Sequence, residues 1–401
     1  MEMDEIMKIV MISNYINHHQ IPLAEALVRQ DGVEYNFIQT EPMEEERVHM
    51  GWGVNPHELS YVSLLYQDEA ACKRLIDECD LLIVGWMNRE DLVQPRIKEG
   101  KLTLRLSERI YREGQYKAIS PRGLMQKYKD HIRFRNANVY LLCLGAYVAS
   151  DFELIKAYPN KKYRFGYFTE VRTYEDNILW DEKPDMDVIH LVWAGRFLPL
   201  KHPEFAVQLA KDLKIAGYRF HLHMIGDGEQ KESLRAMQTE FGLQDEITFY
   251  GFMAPENVRD VMEKCHVHLF TSNYLEGWGA VVNESMNSGC VPVVNEEIGC
   301  APFLIEHEKN GLIYKNGDYS EFKKQVESLF ENKELIRKYA QAAYATIVNI
   351  WNADNAAKQL IAFYKGYQEG KMNLPQNGPF SVAPILKAPK RLDQKNARTL
   401  S

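Results

Sequence analysis

Glu276-Gly277-Trp278-Gly279-Ala280-Val281-Val282-Asn283-Glu284 sets two carboxylates at the ends of a glycine-rich turn that opens a helix. Upstream, Val267-His268-Leu269-Phe270 reads as a short buried strand. Downstream, Gly289 reads as a helix stop and Val291-Pro292-Val293-Val294 as the next strand. The glycines let backbone approach a ligand closely, and a helix start offers unpaired N–H groups that suit a diphosphate. Glu276, at the mouth of the turn, is placed to accept bonds from sugar hydroxyls. Glu284, further along the helix, is placed to accept them from a ribose diol. Two glutamates eight positions apart mean little in an acidic chain. They gain weight by framing Gly-Trp-Gly between two strands.

The same strand–helix alternation runs along the chain in both directions. In the first half, strands are expected at residues 6–12, 33–38, 81–85, 102–106 and 139–144, with helices at 21–29 and 69–78. In the second half, strands are expected at 189–194, 220–225, 247–250 and 267–270, with an amphipathic helix at 205–214. Strands spaced by helices imply parallel sheets covered on both faces. With 401 residues there is chain enough for two such domains. The reading is α/β: two doubly wound, Rossmann-like domains facing a central cleft. The expected bounds are 1–172 for the first domain, 173–187 for an acidic linker, and 188–350 for the second. A helix at 351–370 is expected to cross back to the first domain, and a basic tail at 371–401 to be loosely ordered. Residues 344–367 read as one continuous helical pattern, and residues 41–57 as a long loop around Gly51-Trp52-Gly53.

Composition narrows the function. A 45% hydrophobic content fits a large core, and a net charge of −8 with mixed signs argues against nucleic-acid binding. No apolar run reaches bilayer-spanning length, and the acidic start at residues 1–5 does not read as a signal peptide. The six cysteines (Cys72, Cys79, Cys143, Cys265, Cys290, Cys300) are scattered without metal-ligand spacing. They are expected to be reduced core residues of a cytoplasmic protein.

Further segments extend the pattern. Gly195-Arg196, with Lys201 five residues on, follows a strand. Gly226-Asp227-Gly228-Glu229 lies between a strand and a helix. Tyr250-Gly251-Phe252-Met253 ends another strand, and residues 295–302 and 310–314 follow the post-helix strand. Together with the opening stretch, these resemble the donor site of family 4 glycosyltransferases, retaining enzymes of the GT-B fold. The resemblance is most specific over residues 192–314 and looser over 6–168.

It implies transfer of a hexose from a nucleotide-diphosphate sugar, with retention, to a glycan or lipid-linked saccharide in surface polysaccharide synthesis. No cofactor and no obligatory metal are implied. Arg196 and Lys201 would neutralise the donor phosphates, and Glu276 would hold the donor sugar. Glu284 would hold the ribose, with the backbone at Gly195, Gly226, Gly277, Trp278 and Gly279 lining the pocket. Phe252 and Met253 would touch the nucleobase, or serve in ordinary packing.

In the first half, the loop at residues 13–20 lacks the glycines that many family members carry. Asn14, His18 and His19 stand there as acceptor-side candidates. The two histidines could bind acceptor hydroxyls or the leaving phosphate, cap the helix, or sit in solvent. Glu108 follows the strand at 102–106, where the family places a polar residue near the reacting carbon; it could equally be a structural carboxylate. From Arg96 to Arg135 there are twelve Lys or Arg against four acids, interleaved with apolar residues. Such a patch suits an anionic membrane surface on the inner face of the membrane, or a diphosphate-linked lipid; otherwise it is a solvated basic face. Two rival functions remain: a GT-B nucleotide-sugar epimerase, and a non-catalytic nucleotide-sugar-binding partner subunit.

Overall fold

The computed structural model describes residues 6–44, 53–175 and 178–387. The acidic start, the centre of the 41–57 loop including Gly51 and Trp52, and the tail cations Lys390, Arg391, Lys395 and Arg398 lie outside them. The chain divides into two compact units, Met1–Glu170 with Trp351–Lys387, and Val171–Ile350.

The first unit is built on a seven-stranded sheet, β3-β2-β1-β4-β5-β6-β7, with every pairing parallel. Its strands are β1 (Met7–Ser13), β2 (Val33–Gln39), β3 (Val62–Leu64), β4 (Leu81–Val84), β5 (Thr103–Ser107), β6 (Val139–Leu144) and β7 (Lys162–Phe165). Helix α1 (Ile21–Val28) follows β1, and α2 (Pro121–Asp130) lies between β5 and β6. The near-continuous apolar runs of β1, β4 and β6 are buried on both faces, as a covered parallel sheet requires. Short β3 and β7 were not read from the sequence, because three or four residues carry too little pattern.

The second unit repeats the order with six strands, β10-β9-β8-β11-β12-β13. They are β8 (Ile189–Ala194), β9 (Phe220–Ile225), β10 (Ile247–Gly251), β11 (Val267–Phe270), β12 (Val291–Asn295) and β13 (Leu312–Tyr314). Helices α3 (Pro203–Ile215), α4 (Pro255–Met262), α5 (Ala280–Asn287) and α6 (Glu334–Asn349) connect or cover them. Strand order reverses between β8 and β11 here, and between β1 and β4 in the first unit. Such switch points open crevices at the carboxyl ends of strands, where ligands bind in open α/β sheets.

The described residues of the stretch expected to be a linker, 173–187, belong to the second unit. The buried Lys183 ammonium donates to the carbonyls of Glu263, Cys265 and Ser288 at 2.5–3.1 Å. The helical pattern at 344–367 is broken: α6 ends at Asn349, and α7 (Ala353–Gln368) begins after Asn352, whose side chain accepts from Asn355 N–H. Helix α7 packs on α1 in the first unit. The tail expected to be loose is ordered through residue 387. Phe380, Ser381 and Ala383 are buried, and residues 380–383 pair antiparallel with β7. All six cysteines are buried and free.

Candidate functional site

In the second unit the switch-point loops after β8 and β11 are fastened to each other. Trp193 Nε1 donates to Thr271 Oγ1 at 2.8 Å, and Thr271 Oγ1 donates to the Lys201 carbonyl at 2.7 Å. Asn273 N–H donates to the Leu200 carbonyl. Asn273 also shapes the turn: its carbonyl accepts from Glu276 N–H, and its Oδ1 from Leu275 N–H. The result brings Lys201 and Glu276 into a direct ion pair, both largely buried. His202, in the left-handed region at φ +47°, turns the chain from Lys201 into α3. It is held by Glu204 at 2.7 Å and Asn273 at 3.2 Å.

Two glycines are required by close backbone approach. A Cβ on Gly226 would lie 1.8 Å from the Gly195 carbonyl oxygen, and Gly226 has φ +142°. Gly279 caps α5 at φ +88°, where a Cβ would press on Phe270 and Ile298. Gly277 is held by its carbonyl, which accepts from Gly299 N–H. Trp278 points inward, its indole N–H donating to Asn283 at 2.8 Å. It braces the turn, and its ring is withdrawn from solvent.

Glu284 lies in the second turn of α5. Burial pushes its carboxyl up to about 7 against the opposing pull of the Arg259 charge. Arg259 is itself buried, donating to Ser288 at 2.9 Å and to Asn287 at 2.5 Å. Among the other expected donor residues, Arg196 is exposed at the β8 exit. Phe252 is 62% exposed beyond β10, while Met253 packs on the cluster of Val192, Ile225 and Met262.

The first unit gathers a second group at its strand ends. Asn14 N–H donates to the Trp86 carbonyl at 2.7 Å, joining β1 to β4 at the switch point. The His18 and His19 rings lie 3.9 Å apart, and His19 faces Tyr167 at 5.7 Å. Burial lowers both imidazoles, His19 to about 3, so they are neutral at physiological pH. In the turn into α1, Asn17 Oδ1 accepts from His19 N–H. Tyr167 donates to Glu108 at 3.1 Å, and Glu108 pairs with Arg112. Burial and the Glu108 charge hold the Tyr167 phenol well above its usual range. Tyr167, Asn273 and Thr271 were not singled out from sequence. Only the turn chemistry of Asn273 left a readable signal.

The 96–135 segment is not one basic face. Arg96 is buried, donating to the carbonyls of Ile76, Asp80 and Leu102. Arg105 makes a two-pronged pair with Glu90 at 2.7 Å, and Arg109 pairs with the buried Asp151. Lys101 and Lys117 also have acidic partners. No helix among the described residues is long and apolar enough to cross a membrane.

Residues 175–346 match the family described as "Glycosyl transferases group 1". An uncharacterized glycosyltransferase, YqgM of Bacillus subtilis, is 24% identical over 148 residues, covering 37% of this chain and 41% of its own. The lipopolysaccharide core biosynthesis glycosyltransferase LpsE of Rhizobium meliloti is 26% identical over 145 residues, 35% and 42% of the two chains. The chain thus spans under half the length of these relatives. Anabaena HepE in complex with UDP superposes with a TM-score of 0.65 at 13% identity, covering 88% of this chain and 98% of that one. The two parallel sheets therefore have the GT-B fold, and residues 175–346 of the second unit, which hold the Lys201–Glu276 pair, carry the likeness to the group 1 glycosyl transferases.

Proposed function

We propose that the protein is a retaining, family 4-type glycosyltransferase. It moves a hexose from a nucleotide-diphosphate sugar to a glycan or lipid-linked saccharide in surface polysaccharide synthesis. The observation that carries this is the Lys201–Glu276 pair at the switch point of the second unit. Without ligand the two neutralise each other. A bound donor divides them, with Lys201 turning to the diphosphate beside Arg196, and Glu276 accepting from hexose hydroxyls. The charge that develops on the leaving diphosphate then meets cations and helix-start amides already in place, the main source of rate acceleration in such catalysis. Glu284, one turn behind the glycine loop, accepts from the ribose diol.

The acceptor is assigned to the first unit, with Asn14, His18, His19 and Glu108 around it. Neutral His19 can accept from an acceptor hydroxyl, and Tyr167 and Arg112 fix the Glu108 carboxylate. The attacking hydroxyl passes its proton to the departing phosphate, so no separate side-chain base is required. The working place is the cytoplasmic face of a membrane. The names of LpsE, a lipopolysaccharide-core enzyme, and of HepE with UDP support beginning with UDP-hexoses.

A thermal-shift panel of UDP-, GDP- and ADP-hexoses identifies the donor. A ligand at 100 times its dissociation constant adds about 2.7 kcal/mol to stability. Incubation of that donor with oligosaccharide acceptors, followed by the product's anomeric configuration, then tests transfer with retention. Isomerised sugar from donor alone would replace the reading by the epimerase, and inverted product would remove the retaining assignment.

A further inference from the structure

Helix α2 is amphipathic with its apolar side turned to solvent. At about 100° per residue, Leu124, Tyr128 and Met125 fall on one arc, Gly123 and Asp130 lie on the opposite side, and Lys127 sits between them and Leu124. The residues least exposed along the helix are those polar ones, and none of its ten residues is buried. Met125 is 63% exposed and Tyr128 56%. The preceding turn adds Tyr116 at 68% and Ile119 at 85%. A helix stabilised by its own unit would turn this stripe inward. An exposed apolar patch of this kind marks an interaction surface.

Charge selects the occupant. Residues 115–135 hold six cations (Lys117, Arg122, Lys127, Lys129, Arg133, Arg135) against Asp130 alone, within a chain of net charge −8. Arg122 and Lys129 flank the apolar arc on one side and Lys127 on the other. Long cationic side chains beside an apolar stripe suit an interface where the stripe enters the acyl boundary and the charges meet headgroups. A second copy of the chain, joined through the same face, would set cations against cations.

We propose that α2 and the turn before it form a docking surface for an anionic lipid bilayer, lying flat with Ile119, Met125 and Tyr128 inserted. This adds a partner to the glycosyltransferase reading, in which a lipid-borne acceptor is met at the membrane. It is testable without donor or acceptor, so its failure leaves transfer to a soluble saccharide standing.

The test is sedimentation of the full chain with vesicles of phosphatidylcholine alone and of phosphatidylcholine mixed with phosphatidylglycerol. The wild type should sediment with the mixed vesicles and stay in solution with the neutral ones. Arg122→Ser with Lys129→Ser should weaken binding on the order of thirty-fold at low salt, at about 1 kcal/mol per cation. Ile119→Ser, Met125→Ser and Tyr128→Ser combined should abolish it at any salt. Because these side chains face solvent, the melting temperature should be unchanged, which excludes misfolding as the cause. Equal binding to both vesicle types, or full binding by the triple variant, would overturn the proposal. So would no vesicle binding together with self-association that the triple variant abolishes, which would make the surface a protein interface.

Discussion

Glu284 is a carboxyl that burial keeps about half protonated at neutrality. Its folded value, about 7, lies above the ordinary 4.5. The folded protein therefore holds a proton that the unfolded chain has lost, and stability from this group is complete below about 4.5 and declines as pH rises through about 7. Replacing it by Gln should remove that decline, which melting curves of both proteins across the window would reveal. Ribose hydroxyls donate to the ionised form, so nucleotide binding at the lower end of neutrality should release a proton. Calorimetry in buffers of different ionisation enthalpy should detect the release in the wild type and not in Glu284→Gln. Absence of any buffer dependence in the wild type would place the ribose elsewhere.

Lys201 invites a second test. Lys201→Ala leaves Glu276 without its cation and the donor without a charge-assisted contact, a loss on the order of 1.5–3 kcal/mol. Nucleoside-diphosphate affinity should fall about tenfold to a hundredfold. Glu276→Gln should instead depress transfer more than it depresses affinity for the free nucleotide, since that residue is assigned to the sugar. The reverse ordering in steady-state kinetics and binding would mean the two roles are exchanged.

At the scale of elements, α5 is held from behind. Its last residue, Asn287, exchanges bonds with the backbone of Arg172 at 2.8 and 2.9 Å, and Lys183 binds the Ser288 carbonyl just beyond it. Lys183→Met keeps the volume and removes three donors from buried carbonyls, at roughly 1–3 kcal/mol for each group left unsatisfied. The urea midpoint should drop at constant slope, and an unchanged midpoint would show that water replaces the ammonium. None of this was legible in the chain. Gly277, Gly279 and Gly289 announced the turn, the helix start and its stop, because backbone demands act locally. Lys183 sits in an acidic, aperiodic stretch that read as a linker and Arg172 just before it, and the partners named above lie 80 to 115 residues away. The basic count from Arg96 to Arg135 is blind in the same way. Charge density cannot tell Arg105, committed to Glu90, from Arg122, which is exposed. Lys201 and Glu276 were placed in one site only because both matched one resemblance; their direct contact was not expected, and a spacing of 75 positions says nothing by itself.

At the scale of the whole molecule, the chain leaves its first unit at residue 170 and returns to it at 351. The return covers an edge. β7 is the last strand of its sheet, and residues 380–383 pair with it: Arg164 N–H donates to the Ser381 carbonyl at 2.7 Å, and Ala383 N–H to the Lys162 carbonyl at 3.0 Å. Phe363 of α7 and Phe380 meet Tyr140, Tyr163 and Phe165 ring to ring. An uncovered edge strand is a template for aggregation, and three buried side chains (Leu360, Phe363, Phe380) contribute roughly 1.5–3 kcal/mol each. Their sum is comparable to the roughly 5–15 kcal/mol that holds a domain together. A chain ending at Ile350 should therefore lose the first unit and keep the second. Hydrogen exchange should show β6, β7 and α1 unprotected while β8, β11 and α5 retain protection, and nucleotide should still bind. Retained protection in β6 and β7 would mean that the returning segment decorates a sheet already stable without it. The seven parallel strands would then supply the unit's stability unaided.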